Sequence, residues 1–132
     1  MSNRAWLLVL GPMVALWAAL PRFVSPPFHT ASANELADHL VPAAVVLAVW
    51  VWALLEARRG RPPGVGMLTA GLVILLAGFW MGATHLPLLL QAQRGEAPWA
   101  ATVHHLAAAL AVIIYGAMWT TRYWNTSPER TQ

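Results

Sequence analysis

Cysteine is absent from this chain of 132 residues. That removes disulfides, thiolate metal sites and cysteine nucleophiles together, and it leaves no Cys pair for covalent haem attachment. Charge is scarce too: 10% of the residues are charged, against about a quarter in an ordinary soluble domain. Lysine is missing altogether, so all eight basic residues are arginines. They are scattered or sit in short loops, so the net charge of +3 reads as membrane topology and not as a nucleic-acid footprint. No HExxH spacing occurs, no internal repeat and no low-complexity segment is visible, and metal-dependent hydrolysis has little support.

What fills the space is apolar. Hydrophobic residues make up 58% of the chain and the mean hydropathy is +0.55. Four stretches approach or exceed the roughly 20 residues that a spanning helix needs. They predict helices at about 5–22, 35–57, 65–90 and 98–121. The first is short and interrupted by Gly11-Pro12; with Arg4 as a flank it resembles a signal peptide, but it is read as a retained first helix. Ser32 and Glu35 form a capping-box pattern before the second stretch, and Pro98 suits the start of the fourth. Trp6, Trp99, Trp119, Tyr123 and Trp124 fall where interfacial aromatic belts are expected.

The connection between the second and third stretches carries Arg58, Arg59 and Arg61, which the positive-inside rule places in the cytoplasm. Four spans then return both termini to that side, in agreement with Arg4, Arg122 and Arg130. The expected fold is an all-α integral membrane protein: one domain over 1–132, four transmembrane helices in an up-down bundle, both termini cytoplasmic. Its location is the cell (inner) membrane, multi-pass.

On that topology all five histidines fall toward the outer face. His29 lies in the long first loop, and His39 is about one turn into the second helix. His85 is about five residues before the outer end of the third, and His104 and His105 lie about six residues into the fourth. The four helical ones share a layer roughly 5–10 Å below the surface. Asp38 precedes His39, with Glu35 one turn earlier. Such groups are costly inside a membrane segment and face a bundle interior or a partner, although near a helix N-terminus the carboxylates also act simply as caps. Gly71, Gly78 and His85 recur at intervals of seven, with Gly82 one turn before His85. This face serves close helix packing through the small pair Gly78 and Gly82, or room for a flat cofactor beside an imidazole. Pro42 and Pro87 free the carbonyls of Asp38 and Ala83 in the same layer. His104 and His105 point about 100° apart on a helix, so both cannot face the axis.

Several readings use these residues. The first is a small membrane subunit of a redox or electron-transfer complex, with a b-type haem near the extracytoplasmic face. His39, His85, His104 and His105 are its candidate ligands, and Met81 is an axial alternative that suits the core better. A quinone or an extracytoplasmic electron carrier would be its partner. In the second, three or four of the histidines His39, His85, His104 and His105, with Asp38 or Glu35, hold copper, zinc or iron. The third is a cofactor-free accessory or assembly subunit that contacts the lipid bilayer and other membrane protein subunits. Pigment binding ranks below haem. A transporter fits least, because the inner half of the spans holds no ionisable residue to continue a pathway, and Glu56 lies at the boundary.

Overall fold

The structure, a computed structural model, describes residues 5–20, 33–60 and 65–124, excepting the side chains of 5–6 and 33–36. Four helices make up the described chain: α1 (Ala5–Ala19), α2 (Ala33–Arg58), α3 (Val65–Gln93) and α4 (Trp99–Trp124). Each helix packs on the next, and α1 closes the ring against α4. Thus α2 and α4 lie on one diagonal, and α3 and α4 form the most intimate pair. Three stretches are long and apolar enough to cross a membrane: Ala37–Arg58, Val65–Gln93 and Trp99–Trp124. At 15 residues, α1 spans only about 22 Å and falls short of a hydrocarbon core of about 30 Å.

The helix bounds shift from those expected, for local reasons. The third helix runs to Gln93 instead of 90 because a left-handed Gly95 (φ 74°) supplies its stop. The Glu96 N–H donates to the Gln91 carbonyl (2.8 Å) and the Gly95 N–H to that of Ala92 (3.1 Å), which satisfies two end carbonyls in a Schellman pattern. Pro98 stands just before α4, not within it: its carbonyl accepts from the Thr102 N–H (3.1 Å) and hydroxyl (3.2 Å). Pro12, Pro42 and Pro87 all lie inside continuous helices. The first helix is described to Ala19, and the Ser32–Glu35 cap, Arg61 and His29 lie outside what the structure describes.

Leu47, Leu72, Leu76, Phe79, Trp80 and Leu110 face outward, whereas the interior is rich in alanine and glycine. An apolar exterior over a small-residue interior is the arrangement of helices that meet in lipid, where there is no hydrophobic drive between them and close approach must supply the contact. Gly71, Gly78 and His85 do share the buried face of α3. Gly82 does not join the tight contact expected of it, since a Cβ there would find only the Ala109 Cβ at 3.9 Å. The close approach is made by Gly71, Gly78 and, from α4, Gly116, whose added Cβ would lie 2.7 Å from the Leu75 nitrogen.

The end of the bundle away from the histidines is tied by aromatic donors to carbonyls. The Tyr115 hydroxyl donates to Leu7 (3.0 Å), the Trp119 indole to Met67 (3.1 Å), and the Trp50 indole to Leu8. Trp119 therefore departs from the interfacial role expected of it: it is 1% exposed and belongs to the core. Its N–H is tolerable there because a carbonyl receives it. Trp99 and Trp124 do face outward.

Candidate functional site: a histidine cluster

At the opposite end three imidazoles meet. His39 is the seventh residue of α2, His105 the seventh of α4, and His85 lies eight residues before the end of α3. The alternating direction of the helices brings these positions to one level, and all three side chains are buried (0%, 2% and 4% exposed for His39, His105 and His85). Ring centroids are 4.7 Å apart for His39–His85, 4.8 Å for His39–His105 and 5.0 Å for His85–His105. His39 Nε2 lies 3.0 Å from His105 Nδ1 and 3.1 Å from His85 Nε2. One ligating nitrogen from each residue falls within 4.8 Å of the others.

Two backbone carbonyls set the protons. His39 Nδ1 is 3.1 Å from the Ala18 carbonyl oxygen, at the end of α1. His85 Nδ1 is 2.6 Å from the Met81 carbonyl oxygen, one turn earlier on α3. A carbonyl only accepts, so both Nδ1 atoms carry hydrogen. The Thr84 hydroxyl donates to the same Met81 oxygen (3.1 Å) and lies 3.2 Å from His85 Nδ1. In a neutral imidazole with Nδ1 protonated, Nε2 is a lone pair. His39 and His85 therefore direct lone pairs at each other across 3.1 Å. His105 Nδ1–H can donate to His39 Nε2, but the His85 lone pair still faces an acceptor. A cation among the three nitrogens removes that conflict, and the carbonyl-held Nδ1–H is the usual outer support of a ligating histidine.

Two of the three nitrogen pairs, 3.0 and 3.1 Å, also have suitable spacing. Imidazoles bound to one ion at about 2.0–2.1 Å stand about 2.9–3.6 Å apart, from an octahedral edge to a trigonal plane. Two imidazoles on opposite faces of a haem keep their nitrogens about 4 Å apart with the macrocycle between; here the rings of His39, His85 and His105 contact one another directly. A groove of about 420 Å³ between α1 and α2, lined by Pro12, Leu16, Leu40 and Leu47 among others, offers no donor side chain.

Of the residues expected at the site, His39, His85 and His105 come together and His104 and Asp38 do not. His104 is partly exposed beside the buried His105, and Asp38 is partly exposed beside the buried His39. The divergence of the two helix-four histidines is as the 100° step requires, and it is His105 that turns inward. The Met81 side chain joins the apolar core, while its carbonyl orients His85. That role has a sequence signal, the i−4 spacing to His85. The Ala18 carbonyl has none, since nothing local relates α1 to His39.

The class these features define is a helical bundle, three of its helices apolar enough for a membrane, with a buried tri-histidine cluster near one end. Comparison of the chain with protein-family models, curated proteins and solved structures finds no match.

Proposed function

We propose that this chain is a small integral membrane metal-binding protein in which His39, His85 and His105 hold a single transition-metal ion. The observation that carries the reading is the pair of lone pairs on His39 and His85, fixed by the Ala18 and Met81 carbonyls and aimed at one point beside His105. Imidazole suits copper, zinc and iron. With the Arg58–Arg59–Arg61 connection in the cytoplasm, the end of α4 lies inside and the centre faces the extracytoplasmic side of the inner membrane. In that position it serves exchange of a metal or an electron with an extracytoplasmic donor, as one subunit of a larger redox assembly.

The test is metal analysis and visible spectroscopy on detergent-purified protein expressed with its native partners. About one ion per chain is expected, lost in His39→Ala, His85→Ala and His105→Ala with helix content retained by circular dichroism. A Soret band that sharpens on reduction would replace the single ion by b-type haem. Protein that neither carries nor takes up metal, and shows no Soret band, would leave the cofactor-free accessory subunit.

A further inference from the structure

The cluster's charge discriminates between the ions that its donors allow. We propose, resting on the tri-histidine reading above, that the site is built for a monovalent ion, and specifically for Cu(I).

All three donors are neutral. Among the described residues no carboxylate joins the group, and the chain has no cysteine to supply a thiolate. The nearest acid in the sequence, Asp38, is partly exposed at the helix end while His39 beside it is fully buried. With no carboxylate among the described residues of the group, a divalent ion held by these three neutral donors would keep its full double charge in a buried site. The cost of taking an ion out of water grows with the square of its charge, so a divalent ion is penalised about four times as much as a monovalent one of similar size. Zinc sites in proteins relieve this with thiolates, carboxylates or an open position for water or hydroxide. Here the three rings are packed together and no more than 4% exposed, which disfavours a hydrated fourth position.

Coordination number points the same way. Zn(II) takes four ligands almost without exception in closed protein sites. Cu(I), with a filled d shell, is satisfied by two or three nitrogens. Two of the three nitrogen pairs, at 3.0 and 3.1 Å, need open by about 0.5 Å, and the third, within the 4.8 Å spread of the cluster, must close by about 1 Å, to reach a trigonal plane around bonds of about 2 Å. The Nδ1–H bonds to the Ala18 and Met81 carbonyls also keep the rings neutral and basic without introducing a formal charge.

The experiment uses the full-length protein in detergent, stripped of metal. Cu(I) is titrated anaerobically against a chromophoric copper chelator, and Zn(II) and Cu(II) are titrated separately. Expected are one Cu(I) per chain, a three-nitrogen shell by X-ray absorption, and divalent binding weaker by at least about a hundredfold. His85→Asp, which puts one negative charge into the donor set, should reduce the Cu(I)-over-Zn(II) preference by about tenfold or more. The absorption measurement needs no variant and stands whether or not His85→Asp folds. Zn(II) or Cu(II) binding as tight as Cu(I) would overturn the monovalent assignment and leave the metal centre standing. Failure of all three ions to bind would overturn both.

Discussion

Replacing Gly116 by alanine should force α3 and α4 apart. The new Cβ would lie 2.7 Å from the Leu75 nitrogen, 2.9 Å from its Cα and 3.2 Å from the Ile74 carbonyl carbon. Carbon contacts settle near 3.5–4.0 Å, so the helices must separate locally by about 1 Å. The obstacles are backbone atoms, and no rotamer change removes them. Overpacking of this kind costs about 1–3 kcal/mol, and the better helix propensity of alanine returns at most about 1 kcal/mol. A net loss of about 1–2 kcal/mol is therefore expected. Gly82→Ala is the matched control on the facing helix, because its Cβ meets only the Ala109 Cβ, at an ordinary 3.9 Å. It should be neutral or slightly stabilising. Both variants can be compared with the parent by titrating micellar protein with sodium dodecyl sulfate and following tryptophan fluorescence. Gly116→Ala as stable as the parent, or Gly82→Ala destabilised as much as Gly116→Ala, would refute the packing argument.

Other outcomes follow from single contacts. Tyr115→Phe removes the donor to the Leu7 carbonyl and should cost about 0.5–1 kcal/mol in the same titration, with α1 loosened and the fold retained. An unchanged midpoint would show that this bond does not tether α1. His104→Ala and Asp38→Asn should leave the metal stoichiometry unchanged, because neither residue joins the converging group; loss of metal in either would enlarge the centre. Thr84→Val should weaken metal binding by no more than about tenfold, since the Met81 carbonyl still holds His85. Complete loss would assign the hydroxyl a larger part.

Much of this protein is legible from composition and spacing alone. Helices are forced by runs of apolar residues, because backbone groups in lipid must be satisfied within the segment. Their ends are less legible: Gly95 extends the third helix by a cap that depends on its left-handed conformation. Depth along a helix is arithmetic at 1.5 Å per residue, which is why one layer of histidines could be read before any packing was known. The seven-residue recurrence of Gly71, Gly78 and His85 likewise set one buried face.

Packing decided the rest, because rotation about a helix axis and the distance between helices depend on partners far away in the chain. It turned His105 inward and left His104 partly exposed, and it brought His39 within 3.1 Å of His85, 46 residues away. It placed Trp119 in the core, where the Met67 carbonyl 52 residues away receives its N–H. It gave the close approach to Gly116 instead of Gly82. The Ala18 carbonyl is the clearest case. A backbone oxygen has no sequence signature, yet by holding the Nδ1 proton of His39 it determines where that residue's lone pair points.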